Sequence, residues 1–169
     1  VYGVGGVDPG SVSHVMAHGT GTRLGDPVEV NALGVVFGGG VPVALSSVKS
    51  CLGHTQAASG LVSLVSLVEG MRHELIAPSI LCECPSDYVD WDSSGLVLAR
   101  EGVAWPAGEG ARIGAVSAFG FSGTNAHVLL EAGTTLSSDG LRWEQAPSPD
   151  YSLIVLSART EEALDVQLT

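Results

Sequence analysis

The sequence predicts an α/β domain, and three observations carry that reading. Short, almost wholly apolar runs, such as Val41 to Val48, have the length of strands buried on both faces. Between them lie segments with apolar residues at helical spacing. The composition is 45% hydrophobic and 15% charged, with 23 glycines in 169 residues. That balance suits one well-buried core and argues against disorder.

The elements follow in order. Val7-Asp8-Pro9-Gly10 is a turn signal. Val12, Val15 and Ala17 form a short apolar strand, in which His14 is expected to be partly exposed. The strand ends at His18, and the glycine-threonine turn from Gly19 to Thr22 follows. Asp26 and Pro27 then start a helix, with Asp at the N-cap and Pro at the first helical position. Val28, Ala32, Leu33 and Val36 give it an apolar stripe. Gly38 to Gly40 ends it. Val41 to Val48 is the second strand, and Lys49 to Gln56 is a polar loop. Ala57 to Arg72 is a helix with a small-residue start, ending at a solvated His73. Ile76 to Ile80 is extended around Pro78, and Cys84 to Asp92 is a loop. Leu96 to Leu98 reads as a strand, Trp105-Pro106 as an edge and Gly108 to Gly110 as a turn. Ile113 to Phe119 is a strand, Gly120 to Asn125 a second glycine-threonine turn, and Ala126 to Glu131 a returning strand. Gly133 to Asp150 is rich in Ser, Pro, Gly and acidic residues, the composition of a linker. Leu153 to Leu156 begins a new strand and Ala163 a new helix.

Charge narrows the function classes. Formal net charge is −11, which disfavours nucleic acid and anionic membrane as partners. The longest strongly apolar stretch, Leu61 to Val68, is too short to span a bilayer. No basic segment followed by an apolar one opens the sequence, so no export signal is read there. Cys51, Cys82 and Cys84 are read as reduced thiols of a cytoplasmic protein. No metal site is expected, because the histidines are scattered and no Cys-x-x-Cys occurs. The chain opens in Val1-Tyr2-Gly3-Val4 and closes inside a helical pattern, so it reads as part of something longer.

Three polar turns follow strands: His18 onward, Lys49 to His54, and Phe119 to Asn125. In open α/β sheets, sites lie beyond the carboxyl ends of strands. Two imidazoles, a lysine and a glycine-rich turn are therefore expected to converge there. Such a group can stabilise a developing oxyanion or hold an anion. Lys49 needs a counter-charge if buried, and Glu29 is the best candidate. The Gly19-x-Gly21-x-x-x-Gly25 spacing superficially matches a dinucleotide loop, but the acidic residue required about 20 positions on is absent. His127 reads as a structural group bonding loop backbone. Cys51 reads as a small inert thiol, since nothing in its sequence setting activates it as a nucleophile.

The residues His18-Gly-Thr-Gly-Thr-Arg-Leu-Gly-Asp-Pro-Val-Glu29, Ser47-Val-Lys49-Ser-Cys-Leu-Gly-His54-Thr-Gln-Ala-Ala-Ser-Gly60 and Phe119-Gly-Phe-Ser-Gly-Thr-Asn-Ala-His127 resemble the β-ketoacyl synthase family. The likeness is to ketosynthase domains of modular type I polyketide synthases, and Pro78 and Tyr88-Val-Asp-Trp91 share it. It covers about residues 7 to 132. It implies a thiolase-like α/β fold, of which this chain is the carboxy-terminal half of two. It divides the chain into ketosynthase at 1–132, linker at 133–152 and the beginning of a linker domain towards an acyltransferase at 153–169. It also implies decarboxylative Claisen condensation of an acyl thioester with a malonyl-type extender. His18 and His54 match the family's catalytic histidines, and Lys49 and Glu29 its supporting ion pair. Thr20 and Thr22 match the threonines that bond the phosphopantetheine arm. Phe121 matches the gatekeeper, which narrows the acyl pocket and lends its N–H to the oxyanion hole.

No directly bound cofactor is implied; the phosphopantetheine arm of acyl carrier protein is the substrate carrier. Implied partners are the amino-terminal half, acyl carrier protein, an adjacent acyltransferase domain and a second copy in a homodimer. Two features depart from the family pattern. No cysteine sits in the nucleophile setting Ala-Cys-Ser-Ser, which belongs to the first half, so the segment alone is expected to be inactive. Cys51 stands where the family usually has Asn. The alternative reading is a degenerate or split half that binds a partner without doing chemistry. Either way, a half taken alone is expected to expose a large apolar patch.

Overall fold

The computed structural model describes residues 1–106, 111–133, 160 and 165. The chain divides into two units, Val1–Thr134 and Thr135–Thr169. In the second unit the described residues are Thr160 and Asp165. The expected strand and helix after 153 and the turn at Gly108 to Gly110 fall outside the described residues, as does the linker apart from Gly133.

The first unit runs α1 (Tyr2–Gly5), a 3-10 turn (Pro9–Ser11), β1 (Val12–Met16), α2 (Gly25–Phe37), β2 (Val43–Ser46) and α3 (Lys49–Leu52). A 3-10 turn (Gln56–Ala58), α4 (Ser59–Arg72), β3 (Leu75–Ile76), β4 (Leu96–Leu98), β5 (Val103–Ala104), β6 (Ile113–Phe119) and β7 (Asn125–Glu131) follow. The main sheet has the order β4-β2-β1-β6-β7. Its first four strands are parallel, and β7 returns antiparallel to β6. β3 and β5 form a small antiparallel pair.

Alternation along the central strands builds a core on each face of the sheet. Val12, Val15 and Ala17 of β1 and its extension pack with Val30, Leu33 and Phe37 of α2 and with Val43 and Leu45 of β2. Met16 and Val116 pack instead with Leu67 and Met71 of α4, and with Ile76, Ala99 and Trp105. Leu67, Val15 and Ala115 are wholly buried. Gly114 lets α4 lie this close to β6: a Cβ there would meet Leu67 Cδ1 at 2.8 Å. Truncating Leu67 to alanine removes contacts worth about 2–5 kcal/mol at a site that cannot collapse.

Several expectations need correction. His14 is not partly exposed but 1% exposed. β1 is flanked by parallel strands on both sides and covered on both faces, so only Ser13 along it keeps partial exposure. His14 Nε2 is 2.8 Å from Ser46 Oγ, Nδ1 has no partner, and the ring meets Trp105 edge to face at 5.3 Å. The second strand is shorter than expected, because the exposed Val41 and Pro42 stand outside the ladder. The loop after it contains the one-turn helix α3. Helix α2 opens at Gly25, with Leu24 rather than Asp26 at the N-cap.

Helix α4 also carries apolar residues on its outer side. Leu61 is 67% and Val65 60% exposed. With Val48, Leu52 and Val62 they line an apolar depression of about 360 Å³. The chain on its own is therefore expected to associate, giving a light-scattering mass above its 17.2 kDa. Leu61→Lys with Val65→Lys should shift it towards monomer, whereas a well-behaved wild-type monomer would contradict this. Burial also lowers the His14 pKa from 6.5 to about 4. The unfolded chain takes up this proton near pH 6.5 and the folded one only near pH 4. Stability from this group is thus present above 6.5 and lost as pH falls to about 4, by roughly 3 kcal/mol. The His14 ring resonances should titrate near pH 4; titration near 6.5 would contradict its burial.

Candidate active site

The parallel strands β1, β2 and β6 end at the same edge of the sheet, and the three polar turns leave from there. Ala17 continues β1 by donating its N–H to Ser46 O at 2.7 Å. The chain then turns sharply at Gly19, whose φ is +45°. A Cβ on Gly19 would lie 2.8 Å from Ser47 Cβ, so only glycine fits the turn.

The turn is held from below by α2. The buried carboxylate of Glu29 accepts the backbone N–H of His18 at 2.8 Å and of Gly19 at 2.9 Å. Asp26 accepts the N–H of Gly21 at 3.1 Å, and Thr22 Oγ1 accepts that of Gly25 at 3.0 Å. Asp26 therefore braces the loop rather than capping the helix, and Thr22 satisfies the orphan donor at the helix start.

The expected contact ion pair between Lys49 and Glu29 does not form. Both Glu29 oxygens are taken by backbone, and Lys49 Nζ is buried with no hydrogen-bond partner. The two groups act on each other only through space. Burial lowers the Lys49 pKa below 10.5, against the pull of Glu29 and Asp26. Burial raises that of Glu29 above 4.5, against the two N–H bonds and Lys49.

His18 and His54 come together as expected. Their rings meet edge to face, with centroids 5.5 Å apart and planes at 85°. His54 Nδ1 accepts the backbone N–H of Gln56 at 3.0 Å. Gln56 holds a left-handed φ of 53° to make this bond. An accepting Nδ1 leaves the ring proton of neutral His54 on Nε2, as a donor. Burial lowers the His18 pKa below 6.5, and the charges of Lys49 and His54 lower it further, while Asp26 opposes them. His18 is thus neutral at pH 7.

Other residues fall into place around this pair. Phe119, at the end of β6, packs its ring 5.3 Å from that of His18. Sequence reasoning missed this contact, whose signal was its position at the end of a strand beside β1. Phe121 is 96% exposed at the loop tip. Thr20 and Thr22 hydroxyls lie 3.4 Å apart on the rim. Ser47 ties the two histidine loops together: its Oγ donates to Gly19 O at 3.4 Å and its N–H to Ser79 Oγ at 2.8 Å. His127 is structural, but its partners are side chains, Tyr2 Oη at 2.9 Å and Ser117 Oγ at 3.0 Å. His73 is exposed at the end of α4 beside Glu69. Cys51 is exposed and free. Among the described residues, no group of three His, Cys, Asp or Glu could hold a metal ion, and no helix is long and apolar enough to cross a membrane.

Comparison with known proteins shows the family of the chain. Residues 1–83 match the family model of the β-ketoacyl synthase C-terminal domain, and residues 85–169 that of the ketoacyl-synthetase C-terminal extension. Erythronolide synthase EryA2 of Saccharopolyspora erythraea is 43% identical over 96% of this chain. The pikromycin polyketide synthase component PikAIII of Streptomyces venezuelae is 42% identical over 95% of it. The chain spans only 4% and 11% of those two proteins. A solved ketosynthase from module 6 of the bacillaene synthase of Bacillus subtilis superposes with a TM-score of 0.75 at 37% identity. That match covers 79% of this chain and 25% of the solved one. The chain accordingly belongs to the β-ketoacyl synthase family, as the carboxy-terminal region of a ketosynthase domain of the modular polyketide synthase type.

Proposed function

We propose that this region supplies the two histidines of a ketosynthase that performs decarboxylative Claisen condensation, an acyl transfer. The observation that carries the reading is the edge-to-face pair of His18 and His54, with His54 Nδ1 occupied by the Gln56 N–H. That leaves an Nε2–H free to meet a thioester oxygen as negative charge develops on it.

The chemistry assigns each group a task. Loss of CO₂ from a malonyl-type thioester breaks a carbon–carbon bond and leaves its electron pair as an enolate. His54 donates to the enolate oxygen, and neutral His18 shares that task. The enolate carbon then attacks an acyl thioester formed on a cysteine of the amino-terminal half, and the thiolate leaves. Thr20 and Thr22 bond the phosphopantetheine arm of acyl carrier protein. The N–H of Phe121 contributes to the oxyanion hole and its ring narrows the acyl pocket. Glu29 supports the His18 loop through its two backbone bonds, and Lys49 acts on His18 through its charge. No cofactor is held directly.

The partners in this reading are the amino-terminal half, acyl carrier protein, an adjacent acyltransferase domain and a second synthase chain in a homodimer. The ketosynthase occupies residues 1–132, the linker 133–152 and the start of a linker domain 153–169. The segment alone condenses nothing, because the nucleophile is contributed by the other half.

The test is carbon–carbon bond formation from acyl and malonyl carrier proteins by the intact synthase. His54→Ala should slow decarboxylation about 10²–10⁴-fold while leaving self-acylation of the cysteine detectable by mass spectrometry. Intact, folded enzyme that forms no condensation product would favour a non-catalytic binding half. Because the His18 pKa is lowered below 6.5, neutral His18 persists into acid, and the acid limb of the decarboxylation rate should lie below pH 6.5. A limb at or above pH 7 would remove His18 from the assigned role.

A further inference from the structure

We propose that Arg23 binds the phosphate at the outer end of the pantetheine arm that reaches the histidine pair, and that Tyr88 holds its guanidinium ready to do so. The proposal rests on the preceding functional reading. Arg23 directly follows Thr22 in the exposed loop between β1 and α2. Its Nη2 donates to Tyr88 Oη at 2.7 Å, and its Cζ lies over the Tyr88 ring, 5.6 Å from the centroid. The loop bearing Tyr88 is itself fixed. Tyr88 N–H donates to Ser86 Oγ at 3.3 Å, Trp91 Nε1 donates to Ser86 O at 3.1 Å, and Val89 is buried in the core.

The nature of this partner is the informative point. Arg72 and Arg112 are neutralised by Glu69 and Glu74, both within 2.8 Å. Arg23 is held by a neutral phenol and forms no ion pair among the described residues, so it keeps its full charge and most of its N–H donors. The hydrogen bond and the ring face together fix the guanidinium plane. Lys49, the other cation of the site, is buried and cannot meet a ligand at the rim.

A chain of formal charge −11 repels an approaching phosphate. A single uncompensated guanidinium at the mouth reverses that locally and matches the fork of two phosphate oxygens. Arg23 follows Thr20 and Thr22 in the same loop, the two residues that in the preceding reading bond the arm between its thioester and its phosphate.

The test uses the intact synthase with three malonyl thioesters: on carrier protein, on coenzyme A, and on N-acetylcysteamine, which has no phosphate. For Arg23→Gln, the KM of each phosphate-bearing substrate relative to the phosphate-free one should rise about fivefold to tenfold. Arg23→Lys should recover part of this, and Tyr88→Phe should cost about twofold. An equal change in all three KM values would make Arg23 merely structural and overturn the proposal. A penalty on the carrier alone would move the contact to the carrier's own surface, and would also overturn it. Affinity gives a readout independent of turnover: wild type should bind phosphopantetheinylated carrier more tightly than unmodified carrier, and Arg23→Gln should shrink that difference about fivefold to tenfold, leaving the part due to Thr20 and Thr22. A difference of unchanged size in Arg23→Gln counts against the proposal. An Arg23-dependent difference without any condensation would sink the functional reading and leave this inference standing.

Discussion

The carboxylate of Glu29 takes two consecutive backbone N–H groups, from His18 and Gly19, and the rest of the site depends on that bond pair. Glu29 stands in the early part of α2, and α2 is fixed to the sheet by Val30, Leu33 and Phe37. Core packing is thereby converted into the position of a loop: the helix cannot shift without dragging the turn that carries His18. Charge-assisted bonds of this kind contribute about 1.5–3 kcal/mol each, and breaking them would strand a buried carboxylate. The same turn is pressed against Ser47, which leaves Gly19 no room for a side chain. Bond and steric wall act from opposite sides, so the His18 backbone has little freedom left.

Lys49 takes a different part from the one its sequence position implies. Its ammonium is buried without a partner, with the negative charge of Glu29 and Asp26 acting on it through space. In such a place a cation works as a field rather than as a tether. It adds to burial, the larger cause, in pressing the His18 pKa down and keeping that imidazole neutral. The tether between the two histidine loops is uncharged. Ser47 bonds Gly19 on one side and Ser79 on the other, while Ser50 Oγ accepts the N–H of Ile80 at 3.0 Å. Neutral bonds join the two histidine loops to each other, the Glu29 carboxylate fixes the His18 turn, and burial with the charge of Lys49 sets the protonation state of His18.

Much of this was legible in the sequence, and what was not legible has physical causes. Apolar runs of strand length gave β1, β2 and β6, because strands covered on both faces are mostly apolar, and the buried His14, Ser46 and Ser117 are hydrogen-bonded exceptions. The glycine-threonine turns marked the sheet's functional edge, because chain reversal beside another backbone demands glycine. The meeting of His18 with His54 followed from parallel strands ending together. His14 was misjudged because alternation predicts exposure only for a strand with one wet face, and β1 has none. Glu29 was assigned to Lys49 because opposite charges attract in sequence reasoning, whereas a buried carboxylate is bettered by two preorganised N–H groups. Tyr88 was not foreseen as a neighbour of Arg23, because that contact crosses the fold and leaves no local pattern, whereas the place of Phe119 at a strand end was a signal that went unused.

The distribution of rigidity bears on what this region can do by itself. Every group that fixes the histidines is internal to the first unit: Glu29, Ser47, Ser79, Asp26 and Gln56. The groups that would face substrate are not enclosed by it. Phe121 stands almost fully in water, Thr22 is exposed, and Leu61 and Val65 present an apolar stripe beside the same loops. A half-buried His18 beside an exposed His54 gains little from this geometry, since water screens the charge the pair should stabilise. The region therefore settles orientation and protonation, and leaves its substrate-facing groups and its apolar faces open.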